Sequence, residues 1–149
     1  MVPVALGTQT QASTLRPSSY CGAVGFKPTY GVLTMQGVHP ISLTHDHLGV
    51  IAGTLDDAWC VASHVSLASG NPGAAGLQGA SAVLPTARKP RKLIVLHTKT
   101  WESEVEAPAR AAFEALLQRL REREVELVTR RDDPHFAAFE DEVFGTFID

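Results

Sequence analysis

The chain has 149 residues, 44% of them hydrophobic and 19% charged, with a net charge of −3 at neutral pH. That length suits one domain of ordinary size, and the balance of charge gives no electrostatic basis for binding nucleic acid or an anionic membrane. No apolar run is long enough to span a bilayer, no signal-peptide pattern opens the chain, and Cys21 and Cys60 have neither disulfide-framework nor metal-site spacing. A reducing cytoplasm is the expected compartment.

In chain order, Val2 to Leu6 is a short apolar run that predicts a buried strand, with Pro3 confined to its start. Gly7 to Ser19 is rich in turn formers, and Gly22 to Phe26 predicts a second short strand. Lys27-Pro28-Thr29-Tyr30-Gly31 reads as a turn, and Val32 to Ile41 as an extended segment broken by Gly37 and Pro40. Thr54-Leu55-Asp56-Asp57 opens a helix, with Thr54 as cap and Asp57 at the third helical position. Leu55, Ala58, Trp59, Ala62 and Val65 recur at helical spacing and predict its buried face, with Gly70 as the stop.

Residues 68–90 are rich in Ala, Gly, Pro and Ser and read as a loop or linker. Leu93-Ile94-Val95-Leu96 is a continuous apolar run, the pattern of a strand covered on both faces. Pro108 stands near the start of a helix running to about Glu124, where its missing N–H costs nothing. Ala109, Phe113, Leu116, Leu117 and Leu120 make its apolar face, and Arg110, Glu114, Gln118 and Arg121 its wet face. Val125 to Thr129 returns as a strand. Residues 91–130 are therefore expected to form a parallel β-α-β unit, placed in the same sheet as Val2–Leu6. The tail from Pro134 to Asp149 reads as a helix with Phe136, Phe139, Val143, Phe144 and Phe147 on one face. Residues 1–85 carry only Arg16, Lys27, Asp46, Asp56 and Asp57, and every other charged side chain lies in 86–149. A free-standing domain covers itself with charge, so residues 1–85 read as the interior of a larger assembly.

Around Ser13 the chain reads Gly7-Thr8-Gln9-Thr10-Gln11-Ala12-Ser13-Thr14-Leu15-Arg16-Pro17, followed by Cys21-Gly22 and Gly25-Phe26-Lys27-Pro28-Thr29. This series resembles the amidase signature family of serine amide hydrolases. Gly53-Thr54-Leu55-Asp56-Asp57-Ala58 is similar to the family's later helix start. The resemblance implies an α/β fold with a mixed β-sheet core flanked by helices, seen here as one partial domain over 1–149. Within it, 1–67 would be the nucleophile-bearing segment, 68–90 a linker, 91–130 the β-α-β unit and 134–149 a truncated helix. Three departures stand out: Gln11-Ala12 replaces the family's usual Gly-Gly, Gln9 replaces a common acidic residue, and Arg16 comes one place late. A Cβ at position 12 is strained if that position needs positive φ.

The resemblance implies Ser13 as nucleophile, with the backbone N–H groups of Thr10, Gln11, Ala12 and Ser13 forming an oxyanion hole. It implies hydrolysis of a small-molecule amide through an acyl-serine, without metal or cofactor, while the charge balance predicts no nucleic-acid or membrane partner. A serine hydroxyl needs a base to take its proton. In the family a second serine relays the proton to a lysine, and both lie upstream of the nucleophile by more than the twelve residues available here. Lys27 is not that lysine. The chain alone is therefore expected to be inactive, and to work with an upstream half, a partner subunit as in the family's amidotransferases, or a second copy, or else to be a non-catalytic remnant. Whether it is a gene fragment, a misplaced start or a true short protein stays open at this point.

Rival constellations are thinner. His45-Asp46-His47 could hold two metal ligands, but no third has clear spacing; the alternative is a polar loop with Asp46 capping a turn. Ser13 with His39 or His47 and Asp46 could make a triad, yet no Gly-x-Ser-x-Gly elbow is present. Cys21 and Cys60 read as small buried residues, Trp59 as core and Trp101 as surface packing.

Overall fold

In a computed structural model the chain divides into two units, Met1–Thr86 and Ala87–Asp149; its structure is described for residues 2–69, 77, 83–97 and 99–143. Small sheets flanked by helices make up both units, which is the α/β class expected.

The first unit is built on strand β3, His47–Ala52, which pairs antiparallel with β1, Val4–Gln9, on one side and β2, Val24–Phe26, on the other. The register sets Gly7 opposite Gly49, Gln9 opposite His47, and Phe26 opposite Val50. Being central, β3 is the buried strand, with Leu48, Gly49, Val50 and Ala52 all enclosed. The opening apolar run is not: among the described residues β1 has a neighbour on one side only, and Leu6 is 53% exposed. The turn-rich stretch also holds more structure than expected, because β1 runs on to Gln9 and helix α1 begins at Leu15 and ends at Tyr20.

Helix α2, Leu55–Ala68, starts as its capping sequence demands. The Thr54 hydroxyl oxygen accepts the Asp57 N–H at 3.1 Å and donates to the Asp57 carboxylate at 2.8 Å. Ala58, Ala62, Ser63 and Ser66 are buried, so a stripe of small side chains lets the helix lie close to β3 and β2. Trp59 packs from the side, its ring 6.1 Å from Phe26. Leu55 departs from the expected face, because it stands in the first turn, before the helix reaches the core, and stays 45% exposed. The helix closes with Ser69 as its cap; Gly70, the expected stop, lies outside the described residues.

In the second unit, strands β4, Lys92–Ile94, and β5, Glu126–Val128, pair in parallel, as a β-α-β reading requires. They form a two-stranded sheet of their own, which corrects the expectation that they share a sheet with the first strand. Helices α3, Lys99–Glu104, and α4, Ala107–Glu122, make the crossover, with Pro108 in the first turn of α4. From the apolar run only Val95 is buried; Leu93, Ile94 and Leu96 are 36%, 49% and 37% exposed, so the strand is not covered on both faces. Of the expected helical face Leu117 is buried and Leu116 is 42% exposed. Helix α5, Pro134–Val143, buries a residue its aromatic pattern did not announce: Glu140, whose carboxylate accepts the His97 N–H at 2.6 Å and pairs with Arg130 at 3.1 Å. Phe139 stays 46% exposed, and the tail beyond Val143 lies outside the described residues.

Two substitutions test these readings. A Cβ at Gly49 would stand 2.9 Å from Thr14 Cγ2 and 3.1 Å from the Phe26 carbonyl. Gly49→Ala should therefore destabilise the first unit by about 1–3 kcal/mol in urea unfolding. Thr14→Ser removes that methyl, so the double variant should cost less than the two single changes added together; strict additivity would assign the cost to something else. At the end of α4, Glu124 has φ of 58°, the Glu124 N–H bonds to Arg121 O at 2.8 Å and the Val125 N–H to Leu120 O at 3.0 Å. That is a Schellman ending with a side chain where glycine fits best. Its ion pair with Lys89 is exposed and of small worth. Glu124→Gly should stabilise the second unit by about 0.5–1 kcal/mol, read by the same unfolding measurement.

Candidate active site

The bend between β1 and α1 carries all four expected site residues in sequence. Its geometry is fixed by two residues that flank them. Thr14 is fully buried and sits over the Gly7–Gly49 pair, where two missing side chains leave room for it. Its hydroxyl oxygen is 3.5 Å from the Gly7 carbonyl and 3.7 Å from where a Gly7 Cβ would be. Gln9, 3% exposed, turns its side-chain oxygen to the backbone N–H groups of Thr14 and Leu15, each at 3.0 Å. Ser18, also buried, donates to the Thr14 carbonyl at 2.6 Å, and Gly25 leaves the space it occupies.

Between these anchors, Ser13 is exposed and Ala12 half-buried, with the Ala12 carbonyl accepting the Arg16 N–H at 2.9 Å. Among the described residues, the N–H groups of Gln11, Ala12 and Ser13 and the Ser13 hydroxyl make no hydrogen bond. Glu124 is the one non-glycine residue with positive φ among the described residues. Ala12 therefore carries no left-handed backbone strain.

Thr10 is held differently. Its hydroxyl donates at 2.6 Å to Asp46, whose other carboxylate oxygen accepts the N–H groups of Ile41 at 2.6 Å and Ser42 at 3.0 Å. Asp46 is buried and ties the 41–46 loop to the bend. The Thr10 hydroxyl first, then the Ser42 N–H, hold its carboxyl below the ordinary aspartate value of 3.8, against the opposing effect of burial. The capping role read for Asp46 thus stands, and the residue also braces Thr10. Tyr30 closes the same loop, donating to the Leu43 carbonyl at 2.7 Å with its ring edge-on to His47. Hollows of about 260 and 320 Å³ lie beside Asp46, Tyr30 and Met35; Ser13 lines neither.

The rival constellations do not assemble. His45 Nδ1 lies 3.0 Å from the Ser42 hydroxyl and 2.8 Å from that of Thr44, and His47 Nδ1 bonds to the His45 carbonyl at 2.5 Å. Asp46 has its oxygens engaged elsewhere, so no hydrogen-bonded Ser-His-Asp chain forms among the described residues. Nor does any group of three His, Cys, Asp or Glu side chains there converge as metal ligands. Lys27 Nζ donates to the Pro28 carbonyl at 2.8 Å, and no hydrogen bond joins it to Ser13 among the described residues. Gln9 and Thr14 were the site residues hidden from sequence reasoning. The usable signals were a polar residue in place of the family's acid and a glycine in each of two strands that pair.

A family model described as Amidase matches residues 1–144. The chain is 42% identical over 65 residues to a glutamyl-tRNA(Gln) amidotransferase subunit from Mycoplasma pneumoniae, a match covering 44% of this chain and 14% of that protein. It is 49% identical over 57 residues to a mitochondrial glutamyl-tRNA(Gln) amidotransferase subunit from Aedes aegypti, covering 38% and 12%. A solved structure described as "Crystal structure of amidase" superposes with a TM-score of 0.66 at 28% identity, over 85% of this chain and 26% of that one. The chain thus spans a small part of the length of each.

The braced Asp46 has a pH signature. Its folded-state pKa is depressed, so its contribution to stability is complete above the unfolded value of 3.8 and is lost as pH falls through the folded value below it. Thr10→Val removes the largest cause of that depression. The wild-type protein should melt higher than the variant by roughly 4 °C or more at about pH 6. The gap should shrink as pH falls through and below the folded value, where the carboxyl is protonated in both proteins. A gap that does not change with pH would show that the Thr10 hydroxyl acts on something other than the carboxylate.

Proposed function

Because the chain belongs to the amidase family, we propose that it supplies the nucleophile and oxyanion hole of an amide hydrolase, with Ser13 attacking the amide carbon. The observation that carries this reading is the bend itself: an exposed serine hydroxyl beside the unengaged N–H groups of Gln11, Ala12 and Ser13. Attack forms the Ser13 Oγ–carbon bond and moves charge onto the carbonyl oxygen, which those N–H groups would stabilise. Collapse expels ammonia or an amine and leaves an acyl-serine, which water then hydrolyses. The serine proton must go to a base and from it to the leaving nitrogen. No lysine or histidine bonds to Ser13 among the described residues, so the base would come from an upstream half or a partner. No metal or cofactor enters this scheme, and a small-molecule amide is its substrate. The free thiols of Cys21 and Cys60 fit a reducing compartment, and we place the protein in the cytoplasm.

The relatives favour a narrower form. They are named as subunits of an amidotransferase, so the released ammonia would be used by a partner chain rather than lost. A non-catalytic remnant is the remaining alternative, and one experiment separates the readings. A serine-reactive fluorophosphonate should label Ser13 of the chain slowly, and faster when an upstream half carrying a lysine base is supplied. Ser13→Ala should reduce labelling to background, a loss of at least ~10³-fold. Labelling that survives Ser13→Ala would remove Ser13 from the role. Absence of labelling with the upstream half present would favour the remnant.

A further inference from the structure

We infer that Gln9 is the positioning residue of the oxyanion hole, and that its neutral amide makes the tether on Thr14 and Leu15 independent of pH. Asp46, which holds Thr10 at the other end of the bend, does titrate. The inference rests on Ser13 being the nucleophile. Gln9 ends β1, is 3% exposed, and lies opposite His47 in the register of the central strand. Its side-chain oxygen accepts two N–H groups at 3.0 Å, from the two residues that immediately follow Ser13. Accepting two donors fixes which amide atom is the oxygen.

The consequence reaches the hole through the chain itself. With Thr14 N–H and Leu15 N–H tied to Gln9, the bend is held at its far end by a group anchored at its near end. The residues between, 10–13, form a closed loop whose backbone N–H groups have nowhere internal to turn. Among the described residues, those of Gln11, Ala12 and Ser13 bond to nothing. Releasing the two tethers would let Thr14 and Leu15 compete for the same carbonyls and hydroxyls, and the preorganisation that oxyanion stabilisation requires would be lost.

The choice of glutamine matters because an acid accepts two N–H groups well only when ionised. A carboxylic acid at this place adds a titration to the brace, whereas an amide does not titrate. Gln9→Glu should therefore retain the brace at neutral pH. It should weaken as pH falls through the substituted carboxyl's titration, near 4.3 for an ordinary glutamate. The sign follows from the ionised form being the better acceptor.

Two readouts on the full chain test this. Amide hydrogen exchange should show Thr14 and Leu15 losing about tenfold in protection in Gln9→Ala, while the β1–β3 ladder keeps its own. Gln9→Glu should restore that protection at neutral pH and lose it in acid, against a flat wild-type ratio. Fluorophosphonate labelling of Ser13, measured with the upstream half present, should fall by about 10²-fold in Gln9→Ala and recover in Gln9→Glu above the titration. Wild-type labelling by Gln9→Ala, or unchanged exchange at Thr14 and Leu15, would overturn the inference. Should the wild-type chain fail to label, the nucleophile reading falls, and exchange alone decides whether Gln9 braces the bend. Loss of protection at Thr14 and Leu15 in Gln9→Ala, restored by Gln9→Glu at neutral pH, upholds the brace, and unchanged exchange at both overturns it.

Discussion

The first unit depends on one close approach: the buried Thr14 side chain resting on the place where β1 and β3 bring Gly7 and Gly49 together. A sheet face is ordinarily paved with side chains at every second residue. Two glycines directly opposite one another leave a bare patch of backbone about the size of one small residue. Thr14 fills it, and because Thr14 follows Ser13, the serine is carried to the sheet's rim without being buried by it. A side chain at Gly49, or a bulkier one than threonine above it, would lift the bend off the sheet.

This seat explains why the polar groups around it are satisfied internally rather than by water. Bringing the chain down onto the sheet buries Thr14 at the cap of α1, where backbone N–H groups have no helical partner. Gln9 meets two of them, and Ser18 returns a hydrogen bond to the Thr14 carbonyl. Thr10, at the other side of the bend, is held by a buried carboxylate that also gathers the 41–46 loop. The outcome is a short loop fixed at both ends with its middle residues left unbonded, an arrangement that a free turn would lose to competing local hydrogen bonds.

Much of the fold could be read from local pattern. The start of α2 was legible because Thr54 and Asp57 cap within one turn, and α4 because Pro108 and a 3.6-residue repeat are short-range signals. The parallel pairing of β4 with β5 followed from a strand-helix-strand order alone. What stayed hidden was long-range. Nothing local in Gly7 or Gly49 says that they pair, and Gln9 reads as one polar residue of a turn-rich stretch until the chain folds back on it. The same holds for Glu140, which the aromatic repeat around it masked, and whose burial comes from its bonds to His97 and Arg130. The apolar run at Leu93–Leu96 misled for a different reason. Periodicity reports what a strand can bury, not how many layers are there to cover it, and this sheet has two strands.

The candidate site was legible in its nucleophile and not in its support, and the two differ physically. A motif fixes residue types that must meet a substrate, so its spacing along the chain is informative. The support is defined by space: a carbonyl oxygen at the right distance from two N–H groups can come from an acid or an amide, and a gap for threonine can be made by glycines anywhere that pairing brings them together. Ala12 illustrates the difference. Read as a sequence it substitutes for glycine and suggests strain, but with the bend seated by Thr14 and Gln9 its backbone keeps negative φ, so a methyl group is tolerated. The departures from the family's pattern at positions 9 and 12 are then compatible with one geometry, in which the brace sets the backbone and the side chain at position 12 is free to vary.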